Sequence, residues 1–278
     1  MYKTVILLIA LFLSIYFSLH AQEKSDSILF VEKVGLLQAK EGVSGIELFI
    51  EIGKSFIGTP YKAATLETGG AEMLVVNLHE LDCTTFIENC LALTRTFSTG
   101  KTDFEIFQQQ LTAIRYRNGK LNGYTSRLHY FTEWIADNAS KGYVRDVTQE
   151  LGGIPYPVHL NFMSTHPQYY RQLKADSTLI TVIARQEENI SKKKFHYIPK
   201  EKVVQLESKL KEGMIVGITT GKEGLDIAHT GMLIKQNGRI HLLHASSDFK
   251  QVMISNEPLS DYLMGNKSQT GIMVMEVR

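Results

Sequence analysis

Residues Glu80 to Arg95, ELDCTTFIENCLALTR, constrain this chain more than any other stretch. From Thr84 onward Phe86, Cys90 and Leu93 recur on one helical face, with Ile87 and Leu91 beside them. Asp82 is a favoured N-cap residue, so the pattern predicts a helix that begins at Asp82 or Cys83. A thiol then stands where unpaired backbone N–H groups and the positive end of the helix dipole favour a thiolate. The pattern fits a small core residue at a helix start equally well, and the stretch alone leaves both readings open.

Cysteine usage separates them. Cys83 and Cys90 are the 2 cysteines of the chain, and their helical spacing sets them about 10 Å apart. A disulfide needs alpha-carbons roughly 4.4–6.8 Å apart, so the two are not expected to pair. Cys90 falls on the core face as a small hydrophobe. Cys83, at the polar start of the helix, has no such explanation, which points to catalysis.

The chain opens with Lys3, an apolar run from Val5 to Phe17, and Ala21 as a small residue before Gln22. The run is short for a membrane span, so residues 1–21 read as a cleaved signal peptide and the expected location is the periplasm. No cysteine sits at its end, which argues against a lipoprotein. Removing residues 1–21 leaves 29 basic against 29 acidic residues. That balance gives no general electrostatic claim on nucleic acid, and no stable membrane insertion is expected. Residues 22–278 are expected to form a single catalytic domain.

Helical periodicity runs through Ser27–Ala39, Ile46–Phe56, Phe104–Arg117, Ser126–Asn138, Tyr169–Leu173 and Ser177–Gln186. Arg127 and Tyr130 fall one turn apart in the fourth of these and could frame a polar substrate. From Gly213 the rhythm changes. Met214–Thr219, Ala228–Lys235, Arg239–Ser246, Gln251–Ser255 and Gly271–Val277 are short, β-branched segments, and Asn237-Gly238 marks a hairpin between the second and third. Helices first and strands afterwards predict an α+β fold.

With the turn at Asn237-Gly238, His229 comes opposite the neighbourhood of Ala245 and Ser246. His244 is therefore its near neighbour, whereas His241 falls on the other strand face. This alternation opposes a zinc site built from His229, His241 and His244, and no metal is expected. A cysteine at a helix start, a strand histidine and a second polar residue holding that histidine are the parts needed for nucleophilic acyl transfer.

Gly58-Thr59-Pro60-Tyr61, Leu81-Asp82-Cys83-Thr84-Thr85-Phe86, Leu225-Asp226-Ile227-Ala228-His229-Thr230-Gly231 and His244-Ala245-Ser246-Ser247 resemble the blocks of the NlpC/P60 superfamily of cell-wall cysteine hydrolases. The likeness is strongest to its N-acetylmuramoyl-L-alanine amidase-like branch, to which Ser126-Arg127-Leu128-His129-Tyr130-Phe131 belongs. The resemblance implies a papain-like fold, with the nucleophile helix packed on an antiparallel sheet and a helical elaboration from about 103 to 210. It implies Cys83 as nucleophile, His229 as base and His244 as the orienting residue. Tyr61 and Asp82 are expected beside the oxyanion region, and Arg127 and Tyr130 are expected to grip the substrate. Neither metal nor cofactor is implied. The expected partners are peptidoglycan fragments, cleaved between N-acetylmuramic acid and L-alanine. A stem-peptide endopeptidase acting after D-glutamate, an acyltransferase and a non-catalytic wall-binding domain stay open. Thr84 in place of the usual serine, and Gly213-Met214 in place of a Gly-Asp pair, are departures from the superfamily pattern.

Overall fold

The computed structural model describes residues 26–38 and 45–278. The signal peptide expected over residues 1–21 lies outside the described residues. Helix α1 (residues 26–38) and α2 (Gly45–Lys54) precede the central helix α3 (Cys83–Ser98) and its neighbour α4 (Phe104–Arg115). Then come α5 (Phe131–Ser140), β1 (Val144–Asp146), β2 (Ile154–Tyr156), α6 (Phe162–Thr165), α7 (Arg171–Ala175) and α8 (Thr178–Ser191). The C-terminal part comprises β3 (Phe195–Pro199), α9 (Lys200–Leu206), β4 (Ile215–Thr220), β5 (Ile227–Gln236), β6 (Arg239–Ser246), β7 (Gln251–Ile254), α10 (Leu259–Gly265) and β8 (Gln269–Val277).

The antiparallel sheet has the order β2-β3-β8-β4-β5-β6-β7, with β1 also pairing β8. The last strand therefore sits mid-sheet, between β3 and β4, rather than at the end of a meander. One face carries α3 through Phe86, Ile87, Cys90 and Leu91 against Met232, Leu243 and Ala245. The other face buries Leu233, Leu242, Ile218 and Val274 with Val203 of α9 and Leu259 and Leu263 of α10. The segment expected to be helical from about 103 to 210 also contains β1, β2 and β3, which extend the sheet. Among the described residues no helix is long and apolar enough to cross a membrane.

The β5–β6 hairpin forms in the expected register, pairing Met232 with Leu243, Ile234 with His241 and Gln236 with Arg239. Asn237 and Gly238 both take positive φ, 51° and 80°, as the tight turn requires. Gly231 keeps the two strands close beside the histidines. A Cβ there would lie 2.7 Å from a Leu242 methyl and 2.9 Å from the Leu243 carbonyl oxygen.

A buried ion pair fastens the nucleophile helix. Arg115 of α4 donates to Glu88 of α3 at 2.7 Å and to the Val75 carbonyl at 2.5 Å, and both charged side chains are 2% exposed. Burial raises the Glu88 carboxyl while the Arg115 charge opposes that shift. Removing one partner strands the other charge out of water, so Arg115→Met should lower unfolding free energy by about 3–5 kcal/mol. The double variant Glu88→Leu/Arg115→Met should recover most of that loss. Urea denaturation of the three proteins checks both expectations.

Candidate active site

Helix α3 begins at Cys83 because Asp82 closes a capping box. The Asp82 carboxylate accepts from Thr85 N–H at 2.8 Å, and Thr85 Oγ1 accepts from Asp82 N–H at 2.9 Å. Cys83 is thereby the first helical residue, half-buried, while Cys90 lies fully inside the core. Both thiols are free. The chain just before the helix is tied to Tyr61: Leu81 N–H donates to the Pro60 carbonyl at 2.9 Å and Lys62 N–H to the Leu81 carbonyl at 3.0 Å. Tyr61 consequently stands close enough for the Cys83 and Asp82 charges to add to the burial that raises its hydroxyl.

His229 enters from β5. Its Nε2 is 2.6 Å from His244 Nδ1 of β6, with the rings edge-to-face. His244 is buried and rests edge-on against Tyr262 of α10. His241 turns elsewhere, its Nδ1 donating to the Ser255 carbonyl at 2.9 Å. Strand register thus brings together the histidine pair read from the sequence and leaves His241 out.

Cys83 and His229 line one cleft of about 190 Å³. Thr84, Leu128, His129, Tyr130, Phe131 and Asp226 continue its wall, and the inserted segment closes it with Met163 and Tyr170. The walls are therefore mostly aromatic and aliphatic, with polar groups gathered near the thiol.

The electrostatics differ from the sequence expectation of a thiolate favoured by the helix start. Burial and then the Asp82 charge push the Cys83 thiol up to about 12, against hydrogen bonds from Thr230 N–H and from the Thr84 hydroxyl and N–H. Desolvation outweighs these hydrogen bonds, because the sulfur sits between α3 and β5. Burial also pushes His229 down to about 4, with the Asp248 charge acting the other way. Burial and the neighbouring His229 push His244 down to about 3. At neutral pH the site rests as a neutral thiol beside neutral imidazoles.

Two expected substrate-gripping residues are placed otherwise. Helix α5 starts at Phe131, so Arg127 lies in extended backbone before it rather than one turn from Tyr130. The Arg127 guanidinium is buried against Glu67 at 2.8 Å and Glu72 at 3.3 Å and donates to the Leu66 carbonyl at 3.2 Å. It fastens the loop before α3 and is not part of the cleft lining. Tyr130 does line the cleft. Its hydroxyl, however, donates to Glu187 at 2.7 Å and accepts from Met163 N–H at 3.1 Å. Its ring, not its hydroxyl, is what the cleft presents.

Asp226 is a residue whose part the sequence did not disclose. Buried three residues before His229, it accepts from Thr132 N–H and Oγ1, both at 2.7 Å. A carboxylate from another element thus caps α5, which has no side-chain cap of its own. Tyr156 adds a hydroxyl bond to the Asp226 carbonyl at 2.8 Å. Only an aspartate next to a strand signalled this in sequence, and such residues are usually loop formers.

Residues 51–272 match the AmiA-like, N-acetylmuramoyl-L-alanine amidase-like family. The chain belongs to this family. An N-acetylmuramoyl-L-alanine amidase from Bacteroides uniformis ATCC 8492 is 39% identical, with a TM-score of 0.79 over 83% of this chain and 98% of that one. A Bacteroides fragilis protein, provisionally described as a xylanase, is 39% identical, with a TM-score of 0.77 over 82% of this chain and 100% of that one. A Legionella pneumophila protein, 22% identical over 92% of this chain and 96% of that one, shares the fold with a TM-score of 0.71. No curated protein matches. The chain is thus a papain-like cysteine amidase by family, with helices packed on an open antiparallel sheet.

Cys83 should be alkylated by iodoacetamide far faster than the buried Cys90, as read by peptide mapping. Because the thiol is held protonated, its labelling rate should climb about tenfold per pH unit from pH 6 to 9. A preformed thiolate would give a flat profile instead.

Proposed function

We propose that the protein hydrolyses the amide joining the lactyl group of N-acetylmuramic acid to L-alanine. The observation that carries this is Cys83 and His229 lining one cleft, with buried His244 bonded to His229 behind it, in a chain of this family. His244 Nδ1 takes up His229 Nε2, which leaves His229 Nδ1 as the ring nitrogen for the thiol. The tautomer that serves has His229 Nε2–H donating to His244, so Nδ1 carries the lone pair. As Sγ attacks the lactyl carbonyl, His229 Nδ1 takes the thiol proton and His244 steadies the imidazolium that forms.

The carbonyl oxygen becomes an oxyanion beside the start of α3. There the Cys83 main-chain N–H has no intrahelical acceptor and can stabilise it, with the Tyr61 hydroxyl as the second donor. Collapse of the tetrahedral adduct passes the proton from His229 to the alanine nitrogen, and L-alanine leaves. Water then attacks the thioester with His229 again as base, regenerating the thiol and releasing N-acetylmuramic acid. Asp82 acts by fixing the helix start through its capping box rather than by touching the oxyanion.

The narrow cleft, closed by the inserted Met163 and Tyr170, supports small muropeptides over intact cross-linked wall. Membership of the NlpC/P60 superfamily is part of the same reading, supported by the four sequence blocks and by the placing of Cys83 and His229. A glycosidase reading finds little support: two carboxylates must flank a glycosidic bond. The cleft offers Asp226, whose oxygens already serve Thr132 and Ile227. Export to the periplasm accompanies the proposal, on the strength of the apolar run from Val5 to Phe17 and Ala21 before Gln22. N-terminal sequencing of exported protein should begin near Gln22; a retained Met1 would overturn that part.

The protein should release L-alanine from N-acetylmuramyl-L-alanine and leave a free stem tripeptide intact. Turnover of the tripeptide alone would make it an endopeptidase with the same Cys83 and His229. Cys83→Ala should abolish activity, and His229→Ala should lower kcat by about 10²–10⁴-fold. His244→Ala should cost less, and His241→Ala least of the three. Because His229 must be neutral to act as base and is held down near 4, the acid limb of kcat/KM should fall close to that pH. A limb at the ordinary histidine value would contradict that downward shift.

A further inference from the structure

His129 lies in the wall of the cleft beside Cys83, yet the mechanism above gives it no task. Its Nε2 is 3.0 Å from the Tyr124 carbonyl oxygen. A carbonyl only accepts, so Nε2 must carry the proton. Burial, together with the Arg127 and Arg117 charges, pushes the imidazole down to about 3 and keeps the ring neutral. Nδ1 is therefore an obligate acceptor. Nδ1 has no hydrogen-bond partner among the described residues, and the residue that carries it lines the cleft.

We infer that His129 determines specificity, with Nδ1 accepting a hydrogen bond from an N–H or O–H group on the sugar half of the substrate. The inference rests on the amidase reading and assigns its sugar contact. A lone pair fixed in this way repels a carboxylate, which the alanine half carries. That half otherwise offers only the scissile N–H. The sugar half brings an acetamido N–H and hydroxyls. Tyr130, Phe131 and Tyr170 line the same cleft, and their ring surfaces suit the C–H faces of a pyranose.

The test is calorimetric titration of N-acetylmuramic acid into Cys83→Ala protein, where no turnover intervenes. His129→Phe keeps the ring volume and removes the acceptor, and Kd should rise about tenfold. His129→Asn returns an oxygen close to the Nδ1 position and should bring Kd back to within about threefold. An unchanged Kd in the phenylalanine variant, an equal loss in both variants, or no binding by the Cys83→Ala protein overturns the inference. Failure of the amidase reading shows itself separately, as wild-type protein that releases no L-alanine from N-acetylmuramyl-L-alanine.

Discussion

The reciprocal hydrogen bonds between Asp82 and Thr85 decide where α3 begins, and the rest of the site is arranged around that point. A cap of this type contributes about 1 kcal/mol, modest beside the core it belongs to. Its consequence is positional. One residue earlier or later would rotate the thiol by about 100° around the helix axis and away from His229. The body of α3 cannot adjust, because Phe86, Ile87, Cys90 and Leu91 are fully buried and Glu88 is paired with Arg115 inside the protein. A rigid helix with a defined first residue is what makes a single cysteine usable.

The same rigidity explains the electrostatics. A helix start in water favours a thiolate, but this one is packed against β5 with Asp82 immediately before it. Taking the sulfur out of solvent costs the charged form more than the hydrogen bonds from Thr84 and Thr230 return. The histidines respond to the same burial in the opposite direction and stay neutral. Proton transfer then accompanies attack instead of preceding it, and His244 acts by holding His229 in the one tautomer that can accept.

The inserted segment is bound to this centre by polar groups rather than by apolar packing alone. Asp226 caps α5 from the histidine strand, and Glu187 collects Tyr130 Oη and the Met163 and Ser164 N–H groups at 2.7, 3.0 and 3.2 Å. The Asp226 bonds join α5 to the start of the histidine strand, whereas the Glu187 bonds tie the cleft residues Tyr130 and Met163 to α8 within the inserted segment. Cleft shape and catalytic geometry are therefore coupled through Asp226, while Glu187 holds the cleft wall together.

Local sequence was sufficient wherever the deciding interaction spans a few residues. The Asp82 cap, the apolar stripe of α3, the Asn237-Gly238 turn and the hairpin register that brings His244 rather than His241 to His229 all follow from near neighbours and strand alternation. Interactions between distant residues were not readable in that way. Arg127 looked free because Glu67 and Glu72 are remote in sequence, and bringing those carboxylates to it needs the folded loop. The position of β8 between β3 and β4, the Asp226 cap on α5 and the raised Cys83 thiol likewise depend on which surfaces meet. Sequence determined the chemical identity of the site through residue type and spacing. Tertiary structure decided which of its polar groups remain available, because desolvation and long-range pairing exist only once the elements are packed.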